Sequence, residues 1–456
     1  MRLQVGARRT PGALWRTLHL PMRRRAPSLI IIFITLLLDV LGIGLIIPVA
    51  PKLVERVMGL PADGGQSQAA VAVGALAATY AAMQFLFAPV LGSLSDRFGR
   101  RPVILVSLFG AGVYYFVAAF APNLAVLFIT RAINGVAGAN VSACSAYIAD
   151  ITPIEKRAAG FGLIGAAFGL GFVLGPLMGG MLGDPKISLP FIGPGDVTHP
   201  FLAAGALSIL NALYGCFVLP ESLPRERRRG FSWSRANPLG AFRWMRGHRV
   251  VLIVAGGLVL VHLAQFALHA TWVLSMDVRF GWTPRDVGWS LFTVGVTSAL
   301  VQGVLSRKII PVLGERVCLL GGLGIGVLAF TGYALATEPW MIYATIIVAS
   351  IGGLAGPSAQ AIVSRSVSPT EQGLLQGSLL ALQSVAGVVG PLIGGGVFRV
   401  FTGPEAPVYF PGAPFMAGAI LTAGAIVPMV VAWSRMRRPH EGDGMEEHRA
   451  GVEPGP

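Results

Sequence analysis

Runs of roughly twenty residues with little or no charge recur along this chain, separated by shorter stretches where Arg, Lys, Asp, Glu, Pro and Gly concentrate. Twelve such runs fall at 29–50, 69–90, 103–121, 124–147, 159–182, 200–219, 250–274, 288–305, 316–336, 340–363, 374–398 and 413–434, and are called spans 1–12. As a helix, each is long enough to cross the hydrocarbon core of a bilayer. None alternates apolar and polar positions as a barrel strand does, so the pattern predicts helices that satisfy their own backbone groups.

Composition agrees. With 54% hydrophobic residues, 12% charged residues and a mean hydropathy of +0.69, the chain is too apolar for a water-soluble globule and reads as an all-α integral membrane protein. A net charge of +14 raises the question of nucleic acid. The basic residues, however, cluster in the N-terminal tail, in alternate connectors (2–3, 4–5, 6–7, 8–9, 10–11) and in the C-terminal tail. That distribution places both termini and the central connector in the cytoplasm, and no nucleic-acid partner is expected. Arg23–Arg25 and Arg227–Arg229 then serve topology and contact with anionic lipid. Cys144, Cys216 and Cys318 fall in spans and indicate no disulfide framework. The first 27 residues are Arg-rich without acids and carry no cleavable apolar segment, which predicts a cytoplasmic tail rather than a secretory signal. Met22, directly before the basic patch and span 1, is an alternative start to Met1.

The chain repeats itself at an offset of about 215 positions. Pro153-Ile154-Glu155 before span 5 returns as Pro369-Thr370-Glu371 before span 11. Gly175-Pro176-Leu177-Met178-Gly179-Gly180 returns as Gly390-Pro391-Leu392-Ile393-Gly394-Gly395. Gly99-Arg100-Arg101 returns, degenerately, as Gly314-Glu315-Arg316. The predicted organisation is a basic tail (1–27), a six-helix bundle (28–219), a cytoplasmic linker (220–249), a second six-helix bundle (250–436) and a tail (437–456). Within the linker, 238–245 reads either as an amphipathic surface helix carrying Phe242 and Trp244 or as a solvated tether.

Between spans 2 and 3, Gly92 to Pro102 reads as a charged connector containing Asp96, Arg97, Gly99, Arg100 and Arg101. Its glycines permit sharp turns and its charges suit an ion-pair and helix-end latch or, more simply, a topology signal. Other landmarks are Leu38-Asp39-Val40-Leu41-Gly42-Ile43-Gly44 in span 1, Gln84 with Phe87-Ala88-Pro89 in span 2, and Arg131 and Ala146–Thr152 around span 4. Leu219-Pro220-Glu221-Ser222, Arg279-Phe280-Gly281-Trp282 and Gln372-Gly373 complete the set. In these residues the chain resembles the major facilitator superfamily, and within it the drug/proton antiporters related to bacterial tetracycline-resistance efflux pumps. The resemblance runs from about Ser28 to Met436. It implies two pseudo-symmetric six-helix bundles rocking about a central site, a small-molecule substrate exchanged for protons, a bacterial inner-membrane location, a monomer as the working unit and no cofactor. It further implies that the 92–101 connector holds one conformation closed, and that Gly171, Gly175, Pro176 and Gly179 in span 5 go with export. Ordinary tight helix packing would also account for those glycines.

Proton coupling needs a group that changes protonation inside the membrane, and burial makes an acid's charged form costly. Asp39 is the one carboxylate deep in a predicted span. Arg131 in span 4 supplies a fixed positive charge that can favour ionised Asp39, bind an anionic group, or both; a purely structural Asp39–Arg131 pair is the alternative. His262, Gln265 and His269 share a face of span 7 and suit a second proton site, a substrate contact or a wet packing surface; no third ligand suggests a metal. Gln84, Tyr114, Asn134, Gln302 and Gln360 are further candidates for the cavity wall, with Asn140, Asn211 and Gln383 also deep and polar. No phosphate-binding Gly-rich loop occurs, which leaves ion-gradient coupling as the energy source. Tetracycline pumps resembling this chain usually carry an aspartate, a histidine and an aspartate where Tyr114, Ser298 and Gly326 stand here. That departure argues for an aromatic-lined cavity holding a different amphipathic compound. Transport of a physiological metabolite by the same fold is the runner-up; a non-transporting receptor and an enzyme are remote, the latter for want of a nucleophile–base pair.

Overall fold

A computed structural model describes residues 29–436 apart from 62–63, 154–155, 191–192, 231–244, 246 and 369–370. The two tails, nearly all of the proposed 238–245 helix, and parts of the Pro153–Glu155 and Pro369–Glu371 repeats lie outside the described residues. Among the described residues, twelve helices are long and apolar enough to cross a membrane: Leu29–Ile46, Gln66–Phe98, Arg100–Ala119, Leu124–Ile151, Gly160–Gly183, Thr198–Val218, Arg249–Phe280, Pro284–Leu313, Glu315–Leu335, Pro339–Arg365, Gln372–Thr402 and Ala413–Ala432. They correspond in order to spans 1–12. Phe217, Leu328 and Ile420 are among the large apolar side chains pointing outward, an arrangement suited to hydrocarbon.

The structure corrects the connector between spans 2 and 3. Span 2 stays helical through Phe98 and span 3 begins at Arg100, so the junction is Gly99 alone. Gly99 sits at φ 107°, ψ 157°, and its repeat counterpart Gly314, between spans 8 and 9, at φ 79°, ψ 155°. Both conformations favour a residue without Cβ, and they turn the chain between antiparallel helices in one step.

Spans 4 and 10 are each broken, which hydropathy did not reveal. Span 4 divides into Leu124–Gly138 and Val141–Ile151, and span 10 into Pro339–Gly352 and Ala355–Arg365, at matching positions of the repeat. Helix ends are set by local chemistry. The Asn123 side chain accepts a hydrogen bond from Val126 N (3.0 Å) at the start of span 4, and Thr283 with Asp286 forms a reciprocal capping box ahead of span 8.

Spans 1–6 pack as one bundle and spans 7–12 as another, and they meet chiefly where span 2 lies against span 11 and span 5 against span 8. These two contacts are related by the repeat. One end of the molecule carries Gly99, Gly314 and the basic connectors (the basic end). The opposite end carries a short helix, Ala50–Val57, and a two-stranded hairpin pairing Ser188 with Pro194.

Candidate functional site

At the basic end the turn at Gly99 swings Arg100 back over the last turn of span 2. Its guanidinium pairs with Asp96 (2.6 Å) and Asp150 (3.1 Å) and donates to Ser95 Oγ (2.6 Å). Its backbone N–H donates to Glu221 Oε1 (2.9 Å), and Arg228 approaches Glu221 at 3.7 Å. Spans 2, 3 and 4 and the segment after span 6 are thereby joined within the first bundle. The connector's other arginines stand apart from these ion pairs: Arg97 lies over the Phe98 ring at 5.1 Å, and Arg101 donates to Cys216 O at 2.5 Å. Gly92 belongs to the helix of span 2. Spacing explains the selection, since Arg100 is four positions from Asp96 and Arg97 only one. Asp150 and Glu221 were legible as landmarks; their meeting with Arg100 was not.

Deep in the first bundle, Asp39 is 8% exposed and accepts a hydrogen bond from Asn140 Nδ2 at 3.2 Å. Asn140 stands in the break of span 4, and its Oδ1 is buried without a partner. Gln84 Nε2 donates to Gly138 O at 3.1 Å, satisfying a carbonyl beside the same break. The sequence coupled Asp39 with Arg131, but the structure forms no ion pair between them. Arg131 instead donates to Tyr114 Oη at 3.1 Å and lies 4.7 Å from the Tyr80 ring centroid.

A cavity of about 390 Å³ lies between the bundles. Of the expected wall residues, Gln84, Tyr114 and His269 line it, together with Arg131. Asn134, His262, Gln265, Gln302 and Gln360 are not on that wall. His262 lies two helical turns from His269, beside Phe266, while Gln265 is spent on a 3.0 Å hydrogen bond with His269. Asn134 is packed inside the bundle and Gln302 is exposed within a π-helical turn of span 8. Tyr80, Phe201, Phe266, Gln383 and Ser384 complete the polar and aromatic wall. Tyr115 is buried behind it, and Phe116 packs on Gly205.

The two bundles are fastened at the end opposite Gly99. Lys52 Nζ meets Asp277 Oδ2 at 2.5 Å, Gln66 Nε2 donates to the same oxygen at 2.8 Å, and Thr283 Oγ1 donates to Asp184 Oδ2 at 2.8 Å. Nearby, within the first bundle, Arg56 pairs with Asp196 at 2.6 Å and holds that carboxyl well below its ordinary range. Sequence reading assigned none of these residues a role.

Helix spacing confirms which end is shut. Where span 8 packs on the face of span 5 that carries Val173 and Pro176, a methyl group at Gly288 of span 8 would stand 2.7 Å from Pro176 O, and one at Gly295 would meet Val173. Further along that face toward the basic end, Gly169, Gly165 and Gly162 would meet nothing within 4 Å. Span 11 repeats the pattern. Its contact with span 2 runs through Gly395, Pro391 and Gly387, whereas Gly377 and Gly373 have empty space beside them. Gly171, Gly175 and Gly179 lie on a different face, against span 1, where a methyl on Gly175 would stand 2.7 Å from Gly44 Cα.

A family model described as Major Facilitator Superfamily matches residues 32–336 and 254–454. The chain belongs to the major facilitator superfamily. Among the relatives of this major facilitator protein, the tetracycline resistance protein, class C, of Escherichia coli is 41% identical over 80% of this chain and 88% of its own length. The class H protein of Pasteurella multocida is 32% identical over 88% of this chain and 95% of its own. The crystal structure of the human organic anion transporter MFSD10 (TETRAN) is 26% identical and covers 90% of this chain and 99% of its own, with a TM-score of 0.63. A bacterial homolog of the human lysosomal transporter Spinster, inward-facing and occupied, shares the fold at 16% identity and a TM-score of 0.71, over 89% of this chain and 96% of its own.

Proposed function

We propose that this protein exports an amphipathic, drug-like compound from the bacterial cytoplasm in exchange for protons, and that the structure is its inward-open state. The positive-inside distribution of Lys and Arg assigns the basic end to the cytoplasm, and the bacterial tetracycline-resistance relatives support an inner-membrane location. One observation carries the reading: the bundles are sealed at the end opposite Gly99 and part toward it, with the cavity between them. Rocking about that cavity would open the Lys52–Asp277 end and bring the glycine-lined faces of spans 5 and 8, and 11 and 2, together.

Asp39 is assigned the proton. It is a buried carboxylate whose partner, Asn140, stands in a helix break and retains an unpaired amide oxygen. Protonated Asp39 has an acceptor there and ionised Asp39 has a donor, so the amide serves both states by turning over. The test is expression in a pump-deficient bacterium, with growth scored on a drug panel that includes tetracycline. It is paired with accumulation in inverted vesicles under an imposed gradient, interior acid. Wild type gives resistance and gradient-driven accumulation, and Asp39→Asn gives neither. Equal activity in Asp39→Asn refutes the assignment of the proton site; absence of any driven accumulation in wild type refutes the exchange.

A further inference from the structure

We infer that the cavity is selective for organic anions, and that Arg131 with the Tyr114 hydroxyl is the anchor for an acidic group, such as a carboxylate, on an aromatic substrate. The inference rests on the cavity being the transport site and adds the substrate's charge class.

Arg131 carries the only formal charge among the residues lining the cavity that does not depend on pH, and no carboxylate lines it. Among the described residues, none of its five N–H groups reaches a carboxylate; one donates to Tyr114 Oη at 3.1 Å. The Tyr80 ring, 4.7 Å away, offers the cation a π-face but no countercharge. Asp39, the nearby carboxylate of span 1, is held by Asn140 and forms no ion pair with Arg131. A guanidinium set among Tyr80, Tyr114 and apolar side chains is an expensive charge to leave unneutralised, and an arriving anion removes that cost.

The donors converge. Tyr114 Oη accepts from Arg131, which leaves its own O–H free to donate into the cavity, and guanidinium N–H groups remain for a bidentate contact. Around them Phe201, Phe266 and Val273 provide apolar and aromatic surface. A volume of about 390 Å³ falls within the usual range for drug-sized ligands. His269 is the other basic side chain on the wall, and when charged it adds to the same sign. A cationic substrate meets repulsion and finds no acceptor carboxylate.

The test uses the full chain purified in detergent and a panel in which each of several fused-ring aromatic scaffolds is present as carboxylate, amide and aminomethyl compound. Binding is read as protection against thermal unfolding across a concentration series. Carboxylates are expected to bind roughly tenfold or more tightly than their matched amides, with the amines weaker still. Arg131→Gln is expected to erase that preference. Because Arg131→Gln removes a half-buried group, Tyr114→Asp provides the second variant: it keeps the guanidinium and neutralises it in place, and is expected to erase the preference as well. Equal binding of the three charge classes, tighter binding of the amines, failure of every carboxylate to protect, or a carboxylate preference surviving in both variants overturns the inference. The same panel in inverted vesicles separates this from the efflux reading. Gradient-driven accumulation of amides or amines alone sinks anion selectivity and leaves efflux standing; carboxylate binding that depends on Arg131, without driven accumulation, does the reverse.

Discussion

Lys52 Nζ and Asp277 Oδ2 meet at 2.5 Å across the two bundles, although the residues are 225 positions apart in the chain. Both side chains are largely withdrawn from solvent, at 25% and 15% exposure, and Glu55 approaches the same ammonium at 3.3 Å. The pair exists only while this end is shut, so it stabilises the conformation closed opposite Gly99 against its alternative. Asp277→Asn is expected to shift the equilibrium toward opening at this end by about 1–2 kcal/mol, roughly five- to thirtyfold in population. Spin labels at Lys186 and Glu405, one on each bundle at this end, report it as growth of a longer distance. The exchanged pair Lys52→Asp with Asp277→Lys restores most of the short-distance population, less the repulsion between the new carboxylate and Glu55.

The neighbouring Arg56–Asp196 pair provides a pH signature. The hydrogen bond from Arg56 holds the Asp196 carboxyl below its ordinary range, so the folded protein binds that proton less tightly than the unfolded chain. Its contribution is therefore complete above the unfolded value of about 3.9 and is lost as pH falls through the lower folded value. With side chains 50% and 36% exposed, the pair contributes less than about 1 kcal/mol. The difference in melting temperature between wild type and Asp196→Asn is expected to stay flat from about pH 8 to 5 and to shrink below about pH 4. A difference that grows on acidification contradicts the assignment.

Gly99 and Gly314 separate backbone cost from collision. Both sit at positive φ, 107° and 79°, so an alanine at either strains the turn by about 1–2 kcal/mol. Beside Gly314 nothing lies within 4 Å of an added methyl, whereas at Gly99 that methyl collides with Glu221 and Arg228. Gly99→Ala is thus expected to lower thermal stability more than Gly314→Ala. Glu221→Ala, by removing the obstacle, narrows the gap between them while exacting its own loss of the Arg100 N–H bond.

The positions of the spans, the duplication and the equivalence of Gly99 with Gly314 were legible because hydropathy and glycine spacing are local properties written along the chain. The connector Gly92 to Pro102 was misjudged because charge marks the edge of the hydrocarbon, not the end of a helix. Ser93 to Phe98 take in the charges of Asp96 and Arg97 and remain helical. The breaks at Asn140 and Gly353 were hidden because small residues are common in membrane helices and only the tertiary partners of Asn140 and Gln84 give the first break meaning. Asp39 and Arg131 were found as isolated charges in apolar runs, but sequence could not say that each would choose a different neighbour. Lys52 and Asp277 carried no local signal at all, since their relationship arises from bundle packing.

The glycines of span 5 distinguish packing from motion. Gly175 is pressed against Gly44 in span 1, with a methyl placed 2.7 Å from its Cα, so Gly175→Ala is expected to cost about 1–3 kcal/mol through overpacking within the first bundle. Gly165 lies by helical spacing on the same face of span 5 as Val173 and Pro176, and a methyl there meets nothing within 4 Å. Gly165→Ala should therefore leave thermal stability unchanged or raise it slightly, because alanine favours the helix by about 1 kcal/mol over glycine. A larger side chain, Gly165→Phe, is expected to keep the protein folded in this state but to block closure of the basic end, stopping gradient-driven accumulation in inverted vesicles while the spin-label distance between Lys186 and Glu405 stays short. If Gly165→Phe transports at the wild-type rate, the faces of spans 5 and 8 do not close on one another during the cycle, and the rocking motion must run along a different pair of helices.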